Sequence, residues 1–304
     1  VSVPAGFLFA EAAHPLVLDG GLGTLLESTG DDVSSALWSA RLLRDAPEHV
    51  LQAHRAFFDA GARVAITASY QVSAEGFAAA GLTEDDAFAA LADSVRLALR
   101  ARDERRDGVQ RWVAASVGPY GAMRADGSEY RGDYGLSRGE LADWHRPRMR
   151  ALAAAGAEML AVETIPSLVE VRAVVDALRG SSVPAWIAVT PAMGLTRAGD
   201  DLRETFATAA AAPEVLAVGV NCCYPAEVTP AIIAAREVTD KAIVVYPNSG
   251  EQWDAKNRRW SGDPAFPHHL VDEWVAAGAT LVGGCCRVGP AEIADIAAAI
   301  GSER

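Results

Sequence analysis

Short apolar runs rich in Val, Ile and Ala alternate with Ala- and Leu-rich stretches along the whole chain. Eight of the runs read as strands: residues 16–20 (LVLDG), 63–69 (RVAITAS), 112–118 (WVAASVG), 159–164 (MLAVET), 185–190 (AWIAVT), 217–222 (AVGVNC), 242–248 (AIVVYPN) and 280–286 (TLVGGCC). They are almost continuously apolar, as parallel strands covered on both faces should be. Between them lie helix signals. Asp45 followed by Pro47 predicts a helix that opens there and ends at Gly61, and Ser137 with Glu140 and Ser167 with Glu170 have capping-box spacing. Gly180 closes the last of these. Ala-Gly-Ala recurs at 60–62, 155–157 and 277–279, each time setting a helix-stopping glycine directly before a strand. The recurrences are unevenly spaced, which marks a repeated βα unit rather than a solenoid.

Eight such units in 304 residues predict an α/β chain folded as a single (β/α)8 barrel of the TIM type, one domain over residues 1–304. A doubly wound open sheet is the rival. It would carry G-x-G-x-x-G after the first strand, whereas DGGLGTLLE has Gly20, Gly21 and Gly23 without the further glycine, so a dinucleotide site is weakly supported.

Half the residues are hydrophobic and 22% are charged, enough to bury a large core. The net charge of −13, with both signs interspersed, disfavours nucleic acid and anionic membrane surfaces as partners. No apolar run approaches the ~18 residues of a membrane span, and the first residues lack the basic start of a secretory signal. The expectation is a soluble, cytoplasmic protein whose oligomeric state the sequence does not set.

In a barrel of this kind the chemistry sits where the strands end. The polar residues there are Asp19, Ser69, Tyr70, Ser116 to Tyr120, Glu163, Thr164, Thr190, Asn221, Asn248 and Ser249, together with all four cysteines, Cys222, Cys223, Cys285 and Cys286. Buried core thiols are one reading of the cysteines. A disulfide between the pairs is a second, opposed by a cytoplasmic redox poise. A metal site is the third, and the gathering of all four at one rim favours it. Successive strand residues point to opposite faces, so Cys285 and Cys286 can share an ion only if the backbone turns there, which Gly283 and Gly284 would permit. A third thiolate from Cys222 would leave a fourth position open, and zinc is the natural ion for such a set. None of the six histidines falls at a predicted strand end, which disfavours a His-rich hydrolytic centre. Three thiolates leave a zinc dication a poor Lewis acid toward water. They suit instead the holding of a substrate thiol as its thiolate, ready for alkyl transfer to sulfur.

The chain resembles the homocysteine S-methyltransferases, most closely the bacterial branch that uses S-methylmethionine or S-adenosylmethionine. The resemblance is carried by LDGGLGTLLE (18–27), LWSARLL (37–43), AITASYQVS (65–73), SVGPYGA and ADGSEYRGDY (116–134), HRPRM (145–149), ETIP (163–166), GVNC (219–222), VVYPNSGE (244–251) and GGCCR (283–287). It implies Zn2+ ligands at Cys222, Cys285 and Cys286, with Cys223 outside the motif. It further implies that Asp19, Gly20 and Glu163 hold the amino acid part of homocysteine, that Tyr70 closes over the substrate or faces a sulfonium ion, and that Asn221 orients the metal end. No catalytic side chain is implied beyond the metal-held substrate thiolate. Two segments depart from the family, GLGT (21–24) and the loop 190–201, and both bear on donor preference. Long segments at 120–136 and 249–268, the latter with Trp253 and Trp260, are expected as lids or binding elements. Betaine- or cobalamin-partnered enzymes and a non-catalytic zinc- or thiol-binding barrel are the alternatives.

Overall fold

A computed structural model describes residues 15–32, 37–254, 259–262 and 266–301. All eight apolar runs form parallel strands: β1 (Leu16–Val17), β2 (Val64–Ile66), β3 (Trp112–Val117), β4 (Met159–Ile165), β5 (Ala185–Val189), β6 (Val215–Asn221), β7 (Ala242–Tyr246) and β8 (Leu281–Val282). Each pairs with its neighbour in sequence from β2 through β8, and β8 pairs with β1. A parallel bridge between Leu18 and Val64, flanked by Asp19 N donating to Val64 O at 3.0 Å, joins β1 to β2 and closes the ring. Helices flank the sheet, so this is the expected (β/α)8 barrel.

The period of two sorts each strand into two cores. One set of buried side chains, including Leu18, Trp112, Ala114, Met159, Ala161, Trp186 and Val244, fills the barrel. The alternate set, such as Val113, Leu160 and Ile243, is equally inaccessible beneath the helices. The same parity places Ser116 above Ala114, Glu163 above Ala161 and Tyr246 above Val244, so the polar ends of these strands look into the mouth of the barrel.

All three Ala-Gly-Ala glycines adopt left-handed φ: +104° at Gly61, +98° at Gly156 and +115° at Gly278. Ser137 and Glu140 form the full capping box. Ser167 caps its helix by accepting from Glu170 N, but the Glu170 side chain turns inward to Tyr120 N and His145 Nε2 instead of completing the box. Asp45 does not open the Pro47–Asp59 helix; it ends a short preceding helix, Leu42–Asp45, and Ala46 is the cap. The segments beyond the strand ends carry structure of their own. Residues Tyr120–Arg124 and Ser128–Tyr130 are helical turns, and hairpins form at Pro191–Thr196 and Gln252–Ser261, the latter with 255–258 outside the described residues. No described helix is long and apolar enough to cross a membrane.

Candidate active site

Cys222 follows the last residue of β6, where strand periodicity would turn it away from the barrel. Its φ of +50° swings it back over the mouth. The conformation is held at both ends, Cys222 N donating to Tyr246 O at 3.2 Å and Thr190 Oγ1 donating to Cys222 O at 3.1 Å. Beyond β8 the chain leaves the sheet gradually: Cys285 N still donates to Pro247 O at 2.7 Å, while Cys286 N reaches the Asn248 side chain at 3.1 Å. The turn is completed at Arg287, with φ +64°, and neither glycine before the cysteines takes a left-handed φ. Gly284 is needed for space, since a Cβ there would stand 2.1 Å from Val288 Cγ1.

The three sulfurs converge. Cys222 and Cys286 Sγ are 3.8 Å apart, Cys285 and Cys286 Sγ 3.9 Å, and all three lie within 4.8 Å of one another. Sulfurs each ~2.3 Å from a common zinc in a tetrahedron would be about 3.8 Å apart, so the spacing fits a metal with one corner left over. It is far too long for a disulfide, and all four cysteines are free. Among the described residues no other His, Cys, Asp or Glu set is gathered this way. Hydrogen bonds from Cys285 and Cys286 hold the Cys222 thiol well below its ordinary pKa, while those two thiols are pushed up, chiefly through their bonds to Cys222. Cys223 is buried apart from the group, and burial pushes its thiol up too.

The sulfurs face a cavity of about 450 Å³. Glu163 lines it and accepts from Ser116 Oγ, and the hydroxyl of Tyr246, itself bonded by Trp186 Nε1 at 3.0 Å, also reaches this carboxylate. Burial raises the Glu163 pKa to about 7 against an ordinary 4.5. Gly20 lines the same cavity. Asp19 lies just behind the lining: Oδ2 accepts from Ile66 N at 2.7 Å, Oδ1 is buried without a partner, and burial raises its pKa well above the usual carboxylate range. Tyr70 lines the cavity with its hydroxyl bonded to Thr164. Asn221 is fully buried and meets the cavity through Thr164, accepting from its N at 2.7 Å and donating to its Oγ1 at 2.8 Å. Thr164 has φ +61°, so Asn221 fixes the backbone beside Glu163.

Several residues at the mouth carried no assignment in the sequence. Tyr130 brings its hydroxyl to 3.0 Å from Cys222 Sγ. Arg197 stands 5.3 Å from the Tyr130 ring centroid. Glu129 lines the cavity with Oε2 buried and unpartnered, and burial raises its pKa to about 7. Arg287 pairs with Glu251 at 2.9 Å, tying the cysteine turn to the segment after β7. The signal was present in SEY (128–130) and in the cation of the 190–201 loop, but only the folded loops show what these residues meet. Trp260 lines the cavity; the side chain of Trp253 lies outside the described residues. In total the lining holds five carboxylates, Glu27, Asp31, Asp32, Glu129 and Glu163, and no Lys, Arg or His among its described residues. Asp31 and Asp32 face His49 and Arg41.

A family model described as homocysteine S-methyltransferase matches residues 16–300. Homocysteine S-methyltransferase 4 of Zea mays is 43% identical over 310 residues, covering 95% of this chain and 90% of its own. Homocysteine S-methyltransferase of Escherichia coli K12 is 43% identical over 293 residues, covering 93% and 94%. Among solved structures, the metallated form of the homocysteine methyltransferase MmuM from Escherichia coli superposes with a TM-score of 0.86 at 40% identity, over 95% of this chain and 97% of that one. Its oxidised form gives 0.84 at 40% identity, over 93% and 95%.

Proposed function

The chain belongs to the homocysteine S-methyltransferase family, and from that premise we propose that it moves a methyl group from a sulfonium donor, S-methylmethionine or S-adenosylmethionine, to homocysteine, giving methionine. The observation that carries the reading is the set of three sulfurs within 4.8 Å of one another, open on one side to a carboxylate-lined cavity. Cys222, Cys285 and Cys286 would hold Zn2+, and the ion when bound supplies one thing, the ionised state of the homocysteine sulfur.

The protein's own groups do the rest. Glu163, with Asp19 behind it, is placed to take the homocysteine ammonium, a charge-assisted contact that a buried carboxylate makes strongly. Gly20 lets the backbone approach that end of the substrate, and Tyr70 and Thr164 shape the wall beside it. A lining that holds carboxylates and, among its described residues, no Lys, Arg or His favours entry of a cation, as a sulfonium donor is. In the chemical step the sulfur–methyl bond forms as the donor's carbon–sulfur bond breaks in line, and its electron pair departs on a neutral thioether. No proton moves, so no general base is needed. A negative and a positive charge are consumed together, a step that low exposure to water would assist. Positioning of the two substrates can contribute several kcal/mol more. We place the protein in the cytoplasm, with the one barrel as its whole catalytic domain.

The test is to incubate the zinc-loaded protein with homocysteine and, separately, S-methylmethionine, S-adenosylmethionine, betaine or methylcobalamin, and to measure methionine. Formation with a sulfonium donor and its loss on chelation are expected. Methionine from betaine or methylcobalamin alone would overturn the donor assignment, and none from any donor would leave a binding protein without turnover.

A further inference from the structure

The 3₁₀ turn Ser128–Tyr130 lies over the cavity mouth and carries the hydroxyl that stands 3.0 Å from Cys222 Sγ. As a metal ligand Cys222 is a thiolate with no proton to give, so the phenol must be the donor of this bond. Arg197 sits on the Tyr130 ring, a cation on an aromatic surface. The same Arg197 places Nε 3.5 Å from Thr190 Oγ1, which in turn donates to the Cys222 carbonyl. Tyr130, Arg197 and Thr190 thus form a chain that grips both the sulfur and the backbone of one cysteine, from two loops that share no strand.

Resting on the reading of the centre given above, we propose that Tyr130 is a positioning residue of the metal site: its hydroxyl, braced by Arg197, hydrogen-bonds the Cys222 thiolate and sets both the affinity for zinc and the charge that sulfur passes to the ion. Three thiolates already overbalance a dication, and the homocysteine sulfur adds a fourth negative charge. A hydrogen bond to one ligand draws electron density back from the metal and keeps the set from becoming too electron-rich to hold. Partners of this kind commonly change metal affinity 10–100-fold when removed.

The experiment compares wild type, Tyr130→Phe, which keeps the ring under Arg197, and Tyr134→Phe, a phenol on the same segment whose ring packs on Tyr120. Zinc affinity is measured by competition with a chromophoric chelator, and the sulfur-to-metal charge-transfer band is recorded in the cobalt-substituted proteins. Tyr130→Phe is expected to bind zinc about tenfold or more weakly and to move the band to lower energy, because an unbonded thiolate gives up its electrons more easily. Tyr134→Phe is expected to match wild type in both. Unchanged affinity in Tyr130→Phe, or weaker binding with the band unmoved, would overturn the proposal. Failure of the wild type to take up zinc would instead overturn the reading of the centre itself.

Discussion

Replacing Glu163 by glutamine removes a buried charge and keeps the size of the side chain. The carboxyl has a pKa of about 7 in the fold against an ordinary 4.5. At ~1.4 kcal/mol per pH unit, ionising it costs the folded protein ~3 kcal/mol more than it costs the unfolded chain. The folded state holds this proton more tightly, so the penalty is absent below about pH 4.5, grows between about 4.5 and 7, and is complete above 7. Glutamine can still accept from Ser116 and carries no penalty. Urea unfolding of the ligand-free proteins should therefore show the stability difference between variant and wild type widening in favour of Glu163→Gln by ~2 kcal/mol between pH 5 and pH 8. Homocysteine binding should move the other way, weakening at least ~100-fold as the ammonium loses its charged partner. Parallel stability profiles for the two proteins would refute the burial argument. Undiminished homocysteine affinity in the variant would refute the role assigned to the carboxylate.

Alanine at Cys222, Cys285 or Cys286 should abolish zinc content, by elemental analysis, and turnover together; Cys223→Ala should keep one zinc and near-normal turnover, with a loss of roughly 1 kcal/mol from its buried position. At Gly20 an added Cβ would lie 2.2 Å from Val288 O and 2.8 Å from Phe57 Cε1. Gly20→Ala should accordingly cost ~2 kcal/mol in thermal unfolding and raise the KM for homocysteine, and a variant normal in both would show that the close approach does not matter. On the proposed role of Glu163, the ammonium needs its ionised form, so kcat/KM for homocysteine should fall as pH drops below about 7. A profile flat from pH 5.5 to 7.5 would contradict this.

The barrel was legible because eight strands buried on both faces have to be apolar throughout, and turn glycines at 61, 156 and 278 punctuate them. The strand ends were less so. The run 280–286 yields only Leu281–Val282 as regular strand, since the cysteines must leave the ladder to converge. The structure gathers Cys222 with Cys285 and Cys286, but its left-handed φ at a non-glycine residue is imposed by the bonds from Thr190 and to Tyr246, which no local pattern announces. What Tyr130 meets was not legible for a related reason: its position depends on a segment that folds back through left-handed Ala125 and Gly127 onto Cys222, ninety-two residues later. Glu170 shows the converse, a residue with capping spacing whose carboxylate the packing takes for His145.

The pairing of the first strand with the last has a consequence for how the enzyme is made. Gly284 N bonds Asp19 O at 3.2 Å and Gly21 N bonds Val288 O at 2.9 Å, so the end proposed for the substrate and the end proposed for the metal meet at the seam where the ring closes. Such a seam is the contact of greatest sequence separation and forms late. A nascent chain on the ribosome therefore displays Cys222 and Cys223 without Cys285 and Cys286 until the segment after the eighth strand has emerged. With the ligand set proposed above, all three thiolates meet only once the eighth strand has joined the first, so ion capture and closure of the ring would be coupled.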